Sequence, residues 1–383
     1  KINTTNNKKN NKKKKNEHNK NNTKNNKNTK KKENKKKKKN NQRNNQANEK
    51  KNNKKNNKNN MNHLQSIIIH QKEYVVWKDN QSNVIVQDNM CLHRHAPLSE
   101  GRIVNATLEC PYHGWCYSDI GTIKHIPQGK TKKSIRLQTY ETKRFGDIVW
   151  ANLELDTFND SNAFLKRIQK DEVLSNANVP YVREVPYSWS YLVENFFDPA
   201  HVPFAHHGMQ SVRSDGCNIP MQMVHFTPDK LVLLFQDQSM GKERDGKMEF
   251  YGPYLYCLSF RDKNTWKRSL SILCVPVRVG KSRVFVIPNQ SSSPEQRKIH
   301  HEWSNQFFNT DDYLVHKQEV NHAKNFHLPY FLPTSSDVGI RQWHKWMNRF
   351  YPEWNFQNKI EITKEEAIDN DKNHIQFCKD CQK

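Results

Sequence analysis

From residue 65 onward the chain alternates short apolar runs with polar, turn-forming residues. The segments 65–70 (QSIIIH), 73–78 (EYVVWK) and 83–88 (NVIVQD) are rich in β-branched and aromatic residues, and each predicts a strand of a small β unit. Similar runs recur at 230–236 (KLVLLFQ), 254–261 (YLYCLSFR), 269–275 and 283–287, and their succession predicts an antiparallel sheet. The stretch 148–154, around Trp150, returns the chain from the first unit to the second. Helical stretches are expected at 296–325 and 339–349. A sheet with helices before and after it gives the class α+β. No apolar run reaches the roughly eighteen residues that a membrane-crossing helix needs, and no internal repeat is apparent.

Composition changes this picture only at the N-terminus. The net charge of +24 over 383 residues is strongly basic, but residues 1–60 hold 23 Lys and one Arg against three Glu, which places +21 there. That segment repels itself and has almost nothing apolar to bury, so it is expected to be disordered. It contains no aromatic residue to stack on bases, which argues against specific nucleic-acid binding. It also lacks the Arg/Ser bias and amphipathic period of a transit peptide. The remainder is long enough for two packed domains. The expected organisation is a Lys/Asn-rich tail (1–62), a small β domain (63–155), a larger domain (156–350) and a C-terminal tail (351–383).

The chemistry begins inside the small β domain. Cys91-Leu-His93 is followed, after sixteen residues, by Cys110-Pro-Tyr-His113. Two Cys and two His satisfy a [2Fe–2S] cluster in which Cys91 and Cys110 hold one iron and His93 and His113 the other; exchanging two thiolates for imidazoles raises the reduction potential. A Cys2His2 zinc site uses the same ligand types but usually pairs Cys with Cys and His with His, whereas both pairs here are mixed. Gly101 and Gly114 stand where two loops must turn tightly around inorganic sulfide. Of the eight cysteines, Cys217, Cys257 and Cys274 read as buried thiols and Cys116 as packing beside the second loop.

Residues 91–128 resemble the Rieske domain of an oxygenase. They do not resemble that of a respiratory cytochrome complex, whose extra cysteine pair is replaced here by Ala96 and Tyr112. The later segment Glu194-Asn-Phe-Phe-Asp198-Pro-Ala-His201-Val-Pro-Phe-Ala-His206-His207-Gly208 is similar to the mononuclear iron motif of Rieske oxygenases. Such non-haem Fe(II) sites use two His and one carboxylate and leave positions open for O2 and substrate. The resemblance implies His201 and His206 as ligands, with His207 as rival for the second. It implies Asp198, three residues before His201, as the residue that orients the imidazole and carries electrons from the cluster of a neighbouring subunit. The third ligand is expected from the segment Asn309 to Gln318, with Asp312 chosen and Asp311 as alternative.

Several further stretches narrow the resemblance to the pheophorbide a oxygenase group, which includes chlorophyllide a oxygenase. They are ENFFDPAHVPFAHHG, the IPQ after the cluster domain, Pro333 to Asp337 with Trp343 and Trp346 beyond, and the terminal Cys378-Lys-Asp-Cys381. Similarity covers roughly 66–381. Leu92 and His95 depart from the family pattern at positions that are not ligands. The resemblance implies a helix-grip-like catalytic sheet and a monooxygenase fed by a ferredoxin or reductase. It also implies O2 and a large apolar substrate such as a tetrapyrrole, a homotrimer, and a plastid location with membrane association left open. A sterol substrate is the alternative within the enzyme class. A non-catalytic Rieske electron carrier or redox sensor is the alternative outside it, and such a protein would not need His201, His206 and a carboxylate. Cys378 and Cys381 read either as a possible redox pair or as an exposed tail pair.

Overall fold

A computed structural model describes residues 64–131, 134–153, 161–175, 179–290, 292–352 and 358–382; the expected disordered tail lies outside these. Residues 64–383 form one compact unit.

The expected small-domain strands appear at Gln65–Ile69, Lys72–Lys78 and Val84–Asp88, joined by Thr139–Tyr140 in a four-stranded antiparallel sheet. Period-two alternation sorts Lys72–Lys78 between two cores. Val75 and Trp77 pack with Cys91, Leu98, Leu108 and Cys110, while Tyr74 packs with Val86 and Tyr140. The cluster loops project from a second four-stranded sheet, Arg102–Val104, Thr107–Glu109, Cys116–Tyr117 and Ile123–His125. Fully buried Gln87 ties the sheets together: it accepts from Trp77 Nε1 (3.1 Å) and donates to the Ser118 carbonyl (2.8 Å).

The larger sheet has seven antiparallel strands in the spatial order Tyr181–Val185, Lys281–Ile287, Thr265–Arg278, Leu255–Asp262, Lys242–Tyr251, Lys230–Ser239 and Met221–Thr227. The four expected strands are present and extended. Lys242–Tyr251 carries no early apolar run, since it opens on Lys-Glu-Arg-Asp. Its register opposite Lys230–Ser239 pairs Arg244 with Asp237 through two contacts (2.9 and 2.6 Å), a cross-strand match that alternation alone does not reveal. One face buries Leu231, Leu233, Phe235, Met248 and Phe250 against the helices Trp189–Phe196 and Val338–Phe350, through Trp189, Leu192, Trp343 and Trp346.

The two parts of the unit meet at a tight turn. His70 and Gln71 both adopt positive φ (50° and 65°), and their amides donate to the carbonyls of Pro276 (3.1 Å) and Val277 (2.9 Å). The ladder between Thr265–Arg278 and Lys281–Ile287 shifts register between Pro276 and Arg278, which leaves those carbonyls available.

The helical stretch expected over 296–325 is two helices, Pro294–Asn309 and Asp312–Lys324, interrupted at Thr310 and Asp311. Within the expected C-terminal tail, His374, Ala367 and Cys378 are buried.

Candidate metal centres

The two cluster loops are built alike from backbone hydrogen bonds. In the first, the amide of His95 donates to the Cys91 carbonyl (2.8 Å) and that of Cys91 to the Ala96 carbonyl (2.9 Å). In the second, Gly114 donates to Cys110 (3.1 Å) and Cys110 to Trp115 (2.8 Å). Both bonds have the same spacing, and the fourth residue after each cysteine is left-handed, with φ +59° at His95 and +71° at Gly114. Only one loop spends a glycine there; His95 carries a backbone strain of about 1–2 kcal/mol. Gly101 serves differently: its φ is negative, but an added Cβ would lie 2.1 Å from the Glu109 carbonyl.

This geometry sorts the four residues by type. Cys91 and Cys110 are buried, and Tyr117 Oη lies 3.1 Å from Cys91 Sγ. His93 is exposed and His113 half-exposed, with ring centroids 4.7 Å apart and His93 stacked on Trp115. A buried thiol pair with an imidazole pair at the surface fits a cluster holding one iron by sulfur inside and the other by nitrogen outside.

The second centre is built from side chains of three segments. Helix Trp189–Phe196 ends before Asp198, whose backbone is not helical (φ −112°, ψ 88°). Its Oδ1 caps the short turn Pro199–His201 by accepting from the Ala200 amide (2.9 Å), and Oδ2 faces His201 Nδ1 at 3.7 Å. After the short helix Val202–Ala205, His206 turns back, leaving the Nε2 atoms of His201 and His206 3.2 Å apart. His207 is exposed and accepts from the Arg213 amide (3.1 Å), so it does not share the site.

The carboxylate beside these nitrogens is Asp311, with Oδ2 3.5 Å from His206 Nε2 and 3.8 Å from His201 Nε2. Asn195 donates to the same oxygen (3.1 Å). Asp312, the expected carboxylate, faces elsewhere, and that expectation is corrected. Its Oδ2 accepts from Arg183 Nε (3.0 Å) and Nη2 (2.7 Å), its Oδ1 from Tyr187 Oη (2.9 Å), and both Arg183 and Asp312 are fully buried. The physical reason is the helix break: Asp311 is the non-helical N-cap and Asp312 the first helical residue, so adjacent acids leave the chain in different directions.

Hydrogen bonding fixes which histidine nitrogen is free. The Thr310 hydroxyl spends its proton on the Phe307 carbonyl (2.6 Å), so at 2.6 Å from His206 Nδ1 it accepts, and His206 carries its proton on Nδ1. The Nε2 lone pair then points at His201 and Asp311. Burial first, then neighbouring His201, lowers the His206 pKa to about 3, keeping the ring neutral. Burial also disfavours the charged form of His201, but Asp198 and Asp311 outweigh it and hold its pKa above the ordinary histidine value. Burial raises the pKa of Asp311, and its Oδ1 has no hydrogen-bond partner among the described residues. Lone pairs and an underused carboxylate converging at these distances fit a divalent cation, with Phe307 stacked on His206 at 3.6 Å as an apolar wall. Sequence reasoning gave no role to Thr310, Asn195 or Phe307, although Asn195 lies inside the segment Glu194 to Gly208 and Thr310 next to the paired acids.

The third set of expected residues lies apart from both centres. Cys378 is buried, Cys381 half-buried, and both are free thiols beside His301.

The Rieske [2Fe–2S] domain model matches residues 51–141. Over most of its length the chain is similar to flavonoid 8-hydroxylase 2, chloroplastic, of Ocimum basilicum, at 27% identity over 81% of this chain and 68% of that one. It is 26% identical to pheophorbide a oxygenase, chloroplastic, of Oryza sativa subsp. japonica, with the same coverage. The shares of the relatives' own length run from 28% for chlorophyllide a oxygenase, chloroplastic, of Arabidopsis thaliana to 68%. Among solved structures, dicamba monooxygenase bound to dicamba superposes with a TM-score of 0.61, at 16% identity over 76% of this chain and 94% of the other.

Proposed function

Because the chain carries a Rieske [2Fe–2S] domain on the fold of the Rieske oxygenases and is related over most of its length to the pheophorbide a oxygenase group, we propose that it is a Rieske non-haem iron monooxygenase acting on a large, planar, mostly apolar substrate. The observation that carries this reading is the convergence of His201 Nε2, His206 Nε2 and Asp311 Oδ2. An electron carrier has no use for a second metal site whose buried histidine has its tautomer fixed by a threonine hydroxyl.

The two metal groups would supply single electrons and O2 activation, and the chain's own residues do the rest. Cys91, Cys110, His93 and His113 would hold the cluster, and His201, His206 and Asp311 the Fe(II). Thr310 and Asn195 hold His206 and Asp311 in place. Asp198 fixes the turn that presents His201 and places a negative charge by its Nδ1, which supports its role as an orienting residue on the route from the cluster. Phe307, with exposed Trp303 stacked on it at 5.1 Å, gives the site an aromatic approach.

Flavonoids and pheophorbide a, named in the two relatives, are both planar conjugated molecules, which favours that shape over a sterol. A chlorophyll-type tetrapyrrole is the substrate we place first. Electrons would come from a ferredoxin or reductase, and a head-to-tail homotrimer would bring one subunit's cluster to the next subunit's iron. The relatives matched are named as chloroplastic, which makes a plastid the expected compartment. Among the described residues no helix is long and apolar enough to cross a membrane.

The test is anaerobic purification with iron and sulfide analysis, then turnover on pheophorbide a, chlorophyllide a, a flavone and a sterol with a ferredoxin and its reductase. About three irons and two labile sulfides per chain, with product from one planar substrate, are expected. A full cluster with no iron bound by the histidines would leave the carrier reading standing.

A further inference from the structure

Helix Pro294–Asn309 leads at its C-terminal end to Thr310 and Asp311, and two and a half turns earlier it carries His301, buried and turned towards the last residues of the chain. There four donor atoms, one each from His301, His374, Cys378 and Cys381, lie within 4.8 Å of one another. His301 Nδ1 is 3.2 Å from Cys378 Sγ and 3.5 Å from Cys381 Sγ, and His374 Nε2 is 3.2 Å from Cys381 Sγ. We propose that these residues form a structural zinc site, separate from both iron centres, that fastens the C-terminal segment to the catalytic domain.

Four features support it. The donor set is Cys2His2 with Cys paired to Cys at CxxC spacing, the arrangement that zinc favours and that the cluster loops lack. Tetrahedral Zn–S and Zn–N bonds imply ligand–ligand edges of about 3.3–3.8 Å, close to the separations found. The His374 tautomer is preset: its Nδ1 lies 2.6 Å from the Val182 carbonyl, which can only accept, so the proton sits on Nδ1 and the Nε2 lone pair faces Cys381. Finally the site is enclosed. His301 is 3% exposed, His374 0% and Cys378 6%, and Tyr181 stacks on His374 at 4.5 Å. Four protein donors leave no position open for substrate, which marks a structural site. Binding releases two thiol protons, and two thiolates neutralise Zn²⁺, so the loaded site buries no net charge.

A CxxC with Cys378 buried and Cys381 half-buried, both thiols against histidine nitrogens, is poorly placed for thiol–disulfide exchange, which needs an accessible thiolate. The zinc reading therefore competes directly with a redox role for Cys378 and Cys381. The geometry also shows what the metal would secure: residues 358–382, which buried Ala367 and polar contacts such as Arg297–Asp380 (2.7 Å) and Arg183–Asn370 (2.8 Å) also hold in place.

The experiment is metal analysis of the full chain produced in zinc- and iron-replete medium and purified anaerobically. About one zinc per chain is expected beside the irons. Cys381→Ser and His374→Gln should each lose that zinc while keeping the visible Rieske band and the iron count, and His301→Cys, which preserves a donor, should retain it. If the loss variants do not fold, cobalt-substituted wild-type chain decides: thiolate-to-cobalt charge-transfer absorption with tetrahedral ligand-field bands supports the site. Wild-type chain without zinc, a Cys378–Cys381 disulfide in metal-free protein, or a further iron lost in Cys381→Ser would each overturn it.

Discussion

The loops and the histidine–carboxylate pocket proposed to hold iron bring their donor atoms together by opposite means. All four cluster donors lie within 23 residues, and backbone hydrogen bonds of matched spacing shape both loops. The pocket draws its three donors from positions 201 to 311 and orients them with the side chains of Thr310, Asn195 and Asp198. A site shaped by backbone depends on φ and on glycine. A site shaped by side chains depends on which way each residue leaves its helix, where one position matters.

The sharpest way to break this contrast is to exchange the roles of the adjacent acids. Asp311→Ala should empty the histidine pocket of iron and abolish turnover with the Rieske band intact. Asp312→Ala should instead leave the Arg183 guanidinium buried without its partner and cost about 3–5 kcal/mol in denaturant unfolding. Iron loss without destabilisation in Asp312→Ala would return the third ligand to Asp312. Next in size is Thr310→Val, which removes the acceptor that fixes the His206 tautomer. Iron affinity, measured by chelator competition, should weaken about 10–100-fold while cluster content stays unchanged.

Acidification should separate the centres by a smaller margin. Protons compete with metal for a histidine nitrogen below its pKa. His201 is held above the ordinary value despite burial, by Asp198 and Asp311, so pocket iron affinity should begin to fall at mildly acidic pH, by up to about tenfold per unit. Burial first, then His93 and Arg94, hold His113 below the ordinary value, so the cluster should persist to lower pH. Iron content and the visible band followed together from pH 8 to 5.5 test this; simultaneous loss would refute it. The smallest effect expected is that of Gly114→Ala, which forces a side chain to φ +71° and its Cβ to 3.1 Å from Pro127 Cγ. It should destabilise the cluster domain by about 1 kcal/mol and leave pocket iron untouched.

The same contrast explains what the sequence made legible. Cys91, His93, Cys110 and His113 are read from spacing because the loops that hold them are local. The paired apolar runs gave the long strands Lys230–Ser239 and Leu255–Asp262 for a similar reason. Lys242–Tyr251 was hidden because its stability comes from cross-strand partners such as Asp237. Asp311 and Asp312 could not be separated without the helix break at Thr310 and Asp311, and the partners that mark the two sides of it, His206 for Thr310 and Arg183 for Asp312, lie more than a hundred residues away. His301 is a further case, 73 residues from His374, with nothing between them to suggest that they meet.

Arg183 carries a consequence for how the protein opens. From the edge strand Tyr181–Val185 its guanidinium reaches Asn305 (3.2 Å) and Asn309 (2.6 Å) on one helix, Asp312 at the start of the next, and Asn370 (2.8 Å) near the end of the chain. Departure of the strand or of the second helix would strand a charge in the interior, and departure of the first helix or of the C-terminal segment would leave buried guanidinium N–H groups without acceptors. Thermal fluctuations that expose them should therefore be concerted, making strand, both helices and C-terminal segment one cooperative opening unit. In native-state hydrogen exchange their amides would share a single opening free energy, and the metal pocket at Asp311 would be as long-lived as the chain's last residues are well anchored.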